Sequence, residues 1–368
     1  MAGAGARPGK GATVQAHRRL STIQGSPLSL KVLIASPLET EHVKAIAATD
    51  PRVEVLYEPD LLPTPRYTAD HGGVRPDLAE PESRRWRDLL AQADVSFDFD
   101  WWEPARMPAN CPGLRWVQAT SAGIGQFVER HGLAGSGLVF TTAAGTHAGP
   151  LAEFALMGVL HFVKGIPDLR RWQARRHWER YTTRSLAGSR VVVVGLGGIG
   201  RRVAEVFAAL SARVVGVGRP GREYDVPGLT EVRPFTEIRE ALTGADALVL
   251  ACPLTDETHG LIGPAELAAL APGAVVVNIA RGPVIDEPAL ADALSSGRLG
   301  GACLDVFAEE PLPARSPLWA MDNVIVSPHS ASTVDAENAL LTELFTDNLR
   351  RWLDGRPLRN VFDREKGY

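Results

Sequence analysis

Cysteine is scarce: the chain of 368 residues holds three, Cys111, Cys252 and Cys303. The number is odd, two of the three sit in apolar strand-like stretches, and none has metal-ligand spacing. A disulfide framework and a cysteine-based metal site are therefore excluded, no metal is expected, and a reduced, cytoplasmic compartment is implied. No apolar run approaches the roughly 18 residues that a membrane helix needs. A basic excess is also missing. The formal net charge is -4, against a nucleic-acid partner. The first thirty residues contain no Asp or Glu and no apolar core of a secretory signal. Residues 1–29 read as a disordered tail or an over-extended start, and the similar composition of an organelle transit peptide is the alternative.

What is present is an ordinary globular composition, 45% hydrophobic and 22% charged, at a length that suits two domains. The most informative stretch is Arg190 to Arg201, R-V-V-V-V-G-L-G-G-I-G-R. Four valines without polar alternation suit a parallel strand buried on both faces. Gly195, Gly197 and Gly200 follow in G-x-G-x-x-G spacing, and Val203 to Leu210 then carries helix period. Gly195 permits the strand-to-helix reversal, Gly197 lets a pyrophosphate approach the backbone, and Gly200 allows close helix–strand packing. Amides at the helix start, including those of Gly198 and Ile199, face an anion with the positive end of the helix dipole behind them. In this context the motif predicts a dinucleotide site.

Strands alternate with helices on either side of that turn. Lys31–Ser36, Arg52–Tyr57, Val95–Phe97, Leu114–Gln118 and Leu138–Thr141 form a first series. A Pro-rich connection, Pro59–Pro76, interrupts it. Pro150–Phe162 is densely apolar and Asp168–Arg184 strongly charged, which predicts one long helix with a buried and a polar half. A second series has strands at Arg213–Val217, Ala247–Ala251, Ala274–Ile279, Gly301–Asp305 and Val324–Ser327. The terminal helix, Asp335–Leu353, has no sheet of its own and is expected to pack back on the first domain. The fold class is therefore α/β: two doubly wound parallel-sheet (Rossmann/flavodoxin-like) domains with a cleft between them. One domain takes 30–145 plus 333–368 and binds substrate. The other takes 146–332 and binds the dinucleotide.

Three polar residues fall just past strand ends in the nucleotide-binding half: Arg281, Glu310 and His329. Together they supply an anion clamp, a group that titrates near neutrality and a carboxylate to orient it. The phrases V-N-I-A-R-G-P-V-I-D-E-P-A-L (277–290), L-D-V-F-A-E-E-P-L-P (304–313) and N-V-I-V-S-P-H (323–329), with Gly195–Gly200, resemble the D-isomer-specific 2-hydroxyacid dehydrogenase family. Within it the likeness points to the glyoxylate/hydroxypyruvate reductase-like branch. It runs from about Lys31 onward and is weakest over Pro59–Pro104.

That resemblance implies hydride transfer between NAD(P)H and a 2-oxo acid or D-2-hydroxy acid, running as a 2-oxo acid reductase. His329 would be the general acid, Glu310 the partner of its other ring nitrogen, and Arg281 the clamp on the substrate carboxylate. The amides of Ala122 and Gly123 match a second carboxylate site contributed by the other domain. Ile279 and Asp305 match positions that orient the nicotinamide, and Thr146, Pro253 and Thr258 match lesser cofactor contacts. The partners implied are a small 2-oxo or 2-hydroxy acid and a second copy of the chain in a homodimer, with Trp178 reaching across its interface, and neither nucleic acid nor a membrane. Trp101 and Trp102, after a strand end, read either as a wall for a bulky substrate or as aromatics packed under a loop.

No Asp or Glu stands after the strand Arg213–Val217, where an NAD enzyme places the acid that takes the ribose hydroxyls; Gly218-Arg219-Pro220-Gly221-Arg222 stands there. NADP(H) is favoured, with Arg219 and Arg222 as partners of a 2′-phosphate; Arg219 stacked on adenine with both NAD(H) and NADP(H) in use is the alternative. A corepressor on the same fold, using the dinucleotide as ligand only, is the competing class, disfavoured by the intact Arg–Glu–His set. The extended phosphoglycerate dehydrogenases need a further C-terminal domain, and formate dehydrogenases carry Gln where Glu310 stands.

Overall fold

The computed structural model describes residues 29–364, so the tail expected over 1–29 lies, apart from Ser29, outside the described residues. These residues divide into two compact units. One takes the chain up to Thr120 with Val128–Thr141 and Asn338–Phe362; the other takes Ser121–Phe127 and Thr142–Glu337.

In the first unit β1 (Leu30–Ile34), β2 (Val53–Leu56), β3 (Val95–Phe97), β4 (Trp116–Gln118) and β5 (Val139–Thr141) pair in parallel, in the order β2-β1-β3-β4-β5. β3 and β4 are buried at every position, as strands covered on both faces must be. The helix Glu337–Leu353 is tied to this sheet by a buried polar chain. Asn348 donates to the Gln118 side-chain oxygen at 3.0 Å, and that oxygen also accepts the Thr141 hydroxyl at 2.8 Å. The Trp116 indole N–H closes the chain on Thr141 at 2.8 Å. Phe345 packs edge-on against Phe97 and tilted against Trp116, and Trp352 stacks on Trp116. These hydrogen bonds offset the cost of taking the polar groups of Gln118, Thr141 and Asn348 out of water.

The second unit holds β6 (Arg190–Val194), β7 (Arg213–Gly218), β8 (Leu229–Pro234), β9 (Ala247–Leu250), β10 (Ala274–Asn278), β11 (Leu299–Leu304) and β12 (Val324–Val326). All pair in parallel in the order β12-β11-β10-β9-β6-β7-β8, so the strand order reverses between β6 and β9. Val191 to Val194 are wholly buried, with alternate valines feeding two apolar clusters, one on each face. The α/β expectation of two doubly wound parallel sheets agrees with this architecture.

Three local readings differ. The long helix predicted over Pro150–Arg184 is two helices, Ala148–Val163 and Ile166–Ala174, bent by 59°. Gly165 takes a left-handed φ of 65° at the break, and Pro167 begins the second helix, so the first cannot run on. Helix ends at Ala174, and the charged stretch beyond it is irregular. The edge strand β8 was not anticipated, because L-T-E-V-R-P is too polar to announce a buried strand. Third, Ser121–Phe127 clusters with the second unit, not the first.

Candidate active site

The glycine turn follows β6 and opens the helix Gly198–Ala209. Gly195 has φ 94°, and a Cβ on it would lie 2.6 Å from the Cys252 backbone. A Cβ on Gly200 would lie 1.7 Å from the Gly195 carbonyl oxygen. Both positions therefore exclude any side chain for internal reasons. Gly197 is different, since a Cβ there would enter open space. Its lack of a side chain leaves room above the backbone, the cradle that a pyrophosphate needs at a helix N-terminus. Gly198 lies 3.7 Å, from its Cβ direction, to the Gly145 Cα, which brings half-buried Thr146 beside the turn. Ile199 packs its side chain on the core beneath.

Arg281 sits at the carboxyl end of β10, held by its neighbours. Buried Asn278 donates to the Arg281 carbonyl at 3.2 Å and accepts the Ala280 N–H at 3.0 Å, closing a tight loop. Arg281 itself donates from Nη1 to the Ala280 carbonyl at 2.7 Å. Gly282 explains the Arg-Gly pair: a Cβ there would lie 1.9 Å from the Phe307 carbonyl carbon, so this loop and the one after β11 touch backbone to backbone. On its other side, a Cβ on Gly123 would meet Arg281 Nη2 at 2.4 Å. Ala122 and Gly123 therefore lie with Arg281 in one unit. Burial lowers the guanidinium's pKa, while the carboxylates of Glu310 and Asp305 oppose the shift. It stays a cation, and a partly desolvated one, suited to a carboxylate ligand.

Glu310 and His329 meet at 2.8 Å through Oε2 and Nδ1, and the other Glu310 oxygen accepts the Phe307 N–H at 3.0 Å. A carboxylate can only accept here, so Nδ1 carries the hydrogen and Nε2 is left as the working nitrogen. His329 has a φ of 55°, an uncommon backbone for a residue with a side chain. What holds it there is buried Asp305. One of its oxygens accepts the Ser327 hydroxyl at 2.6 Å and the backbone N–H groups of Ser330 at 2.8 Å and Ala331 at 2.9 Å.

The remaining candidates fall into place around this unit's sheet edge or turn out to be occupied structurally. Ile279 is buried at the end of β10. Pro253 is exposed after β9, and Thr258 binds its carbonyl at 2.6 Å while accepting the Thr255 N–H at 2.8 Å, which fixes that loop. Arg219 follows β7 and gives its backbone N–H to the Tyr224 hydroxyl at 2.8 Å. In the first unit Trp101 is buried 5.8 Å from Trp86, and Trp102 lies under the Arg87 guanidinium, so the packed-aromatic reading describes them. Asn278, Gly282 and Tyr224 were missed. The first two lie within the phrase 277–290, but only the folded loop shows what they hold.

A glycine turn at the switch point of a parallel sheet, with a cation and a carboxylate-paired imidazole at the same sheet's carboxyl edge, defines an NAD(P)-dependent oxidoreductase. Residues 156–331 match the family model described as D-isomer specific 2-hydroxyacid dehydrogenase, NAD binding domain. A glyoxylate/hydroxypyruvate reductase of Arabidopsis thaliana is 30% identical over 254 residues, 68% of this chain and 76% of that protein. A glyoxylate reductase of Thermofilum pendens is 32% identical over 250 residues, 66% of this chain and 73% of that one. Among solved structures, a D-isomer specific 2-hydroxyacid dehydrogenase of Xanthobacter autotrophicus, in complex with NADPH and MES, is 31% identical. It aligns with a TM-score of 0.73 over 92% of this chain and all of that one (100%). The chain belongs to the D-isomer specific 2-hydroxyacid dehydrogenase family.

Proposed function

We propose that the protein reduces a small 2-oxo acid to the D-2-hydroxy acid with NADP(H) as the preferred dinucleotide, and that Arg281, Glu310 and His329 carry the reaction. The observation that bears most weight is the 2.8 Å bond between His329 Nδ1 and Glu310. It leaves Nε2 to give a proton to the carbonyl oxygen in reduction and to take one from the hydroxyl in oxidation. Arg281 holds the substrate carboxylate in a two-pronged bond, and the amides of Ala122 and Gly123 supply a second set of donors. The dinucleotide, when bound, supplies the hydride or accepts it. One proton is consumed per reduction, so falling pH favours the hydroxy acid and rising pH the oxo acid.

His329→Ala is expected to lower kcat by about 10²–10⁴, the range for losing a general acid. Turnover equal to wild type would remove His329 from the mechanism. The substrate is to be found by following NADPH absorbance over a panel of 2-oxo acids. Glyoxylate and hydroxypyruvate come first, since relatives are named for them and buried Trp101 offers no argument for a bulkier side chain.

NADP(H) preference rests on the absence of an acid after β7 and the presence of Arg219 and Arg222 there. A glyoxylate/hydroxypyruvate reductase of Sinorhizobium meliloti with NADP bound, 26% identical at a TM-score of 0.74, has the same fold over 92% of this chain. A kcat/KM higher with NADH than with NADPH would overturn the preference. A cytoplasmic homodimer completes the reading. Trp178 is 96% exposed and Tyr181 also faces solvent, an apolar surface fit for a second copy. Light scattering at the monomer mass would set the homodimer aside.

A further inference from the structure

Tyr224 lies at the carboxyl end of β7, and three observations fix its place. Its ring rests on the last residue of the strand: a Cβ on Gly218 would meet ring atoms at 2.4 and 2.5 Å and the hydroxyl oxygen at 2.7 Å. Its hydroxyl oxygen accepts the Arg219 N–H at 2.8 Å. The Arg222 guanidinium stands over the ring, 5.2 Å from its centroid. The segment is anchored beside the glycine turn. Gly195 gives its N–H to the Val217 carbonyl at 2.8 Å, and Arg201, in the helix after the turn, gives Nη1 to the Asp225 carbonyl at 3.0 Å.

The end of this strand is where a dinucleotide lays its adenosine ribose. We propose that Tyr224 is a specificity-determining residue that selects the 2′-phosphate of the dinucleotide, an inference resting on the NADP(H) reading above. The ring fills the space above Gly218 that a carboxylate at this strand end would need to reach a ribose diol. The phenolic oxygen has already accepted a hydrogen bond, and among the described residues no acceptor takes its own hydrogen. That hydrogen is a donor suited to a phosphate oxygen. Arg219 and Arg222 bring positive charge to the same turn, and stacking on the ring orders Arg222.

The test is equilibrium binding of two fragments, 2′,5′-ADP and 5′-AMP, by calorimetry to wild type and to Tyr224→Phe, which keeps the ring and removes the hydroxyl. Wild type should bind 2′,5′-ADP more tightly than 5′-AMP. Tyr224→Phe should lose about tenfold in 2′,5′-ADP affinity, the order of one hydrogen bond to a charged group. Its 5′-AMP affinity should not change, which a merely structural role for Tyr224 would not allow. A wild-type preference that survives unreduced in Tyr224→Phe, or an equal loss for both fragments, overturns the role of Tyr224 alone. Equal binding of the two fragments by wild type overturns the NADP(H) reading and this inference with it.

Discussion

Gly123 keeps its place because any side chain would stand 2.4 Å from Arg281 Nη2. The colliding atom is the far end of a flexible side chain, so Gly123→Ala should fold normally with the Arg281 guanidinium pushed aside. The expected outcome is a raised KM for the 2-oxo acid with dinucleotide affinity unchanged, read from steady-state kinetics and a binding titration. An unchanged KM would mean that Arg281 does not need its present position. Asp305 works at one remove, through Ser327, Ser330 and Ala331. Asp305→Ala should release His329 from its left-handed backbone. A misplacement of about 1 Å costs kcat on the order of 10²-fold, and Asp305→Asn should restore part of it by keeping one acceptor oxygen. Full activity in Asp305→Ala would leave it without a positioning role. At this scale much was legible: Arg281, Glu310 and His329 stand out as polar residues closing apolar strands. The duty of Asp305 was not, because its donors lie 22, 25 and 26 positions downstream and only the fold brings them back.

Elements were legible where burial on both faces leaves an unbroken apolar run, as in Val191–Val194, and illegible where packing decides. The break at Gly165 is one case, since one glycine in a helical pattern does not announce a left-handed turn. The Pro-rich connection is another. It reads as featureless, yet it contains a closed loop around Asp70, whose carboxylate accepts the Arg66 and Gly73 N–H groups at 3.0 Å each and the Arg66 guanidinium. The hydrogen bond from the Arg66 side chain holds the Asp70 carboxyl well below the usual range. A depressed carboxyl contributes stability that is complete above its unfolded value, about 3.9, and is lost as pH falls through the folded value. Asp70→Asn should therefore be less stable than wild type at pH 7, by about 1–3 kcal/mol for hydrogen bonds to a buried charge. Arg66 is largely exposed, so the ion pair itself adds little. Urea unfolding should show the gap narrowing below roughly pH 4. A gap of constant size from pH 7 to pH 3 would trace the effect to something other than the charge.

Across the whole chain the three thiols report on how each unit opens. Cys111 belongs to the first unit, Cys252 and Cys303 to the second, and all are buried. Burial pushes each thiol up to about 12, so at pH 8 only about one in 10⁴ is the reactive thiolate. Modification in the native state must then wait for opening. Cys252 follows β9 with its backbone against Gly195, and Cys303 lies on β11 with its Sγ 2.7 Å from the Cβ direction of Gly158, under the helix Ala148–Val163. Exposing either thiol disrupts the sheet that positions the glycine turn. A ligand that binds only the closed form at 100 times its Kd raises the opening free energy by about 2.7 kcal/mol, or roughly 100-fold in the open population. Saturating dinucleotide should accordingly slow labelling of Cys252 and Cys303 by up to that factor, followed by mass spectrometry of each cysteine peptide. A Cys252 rate indifferent to the dinucleotide would place the ligand away from the Gly195–Gly200 turn, and the functional reading would lose its starting point.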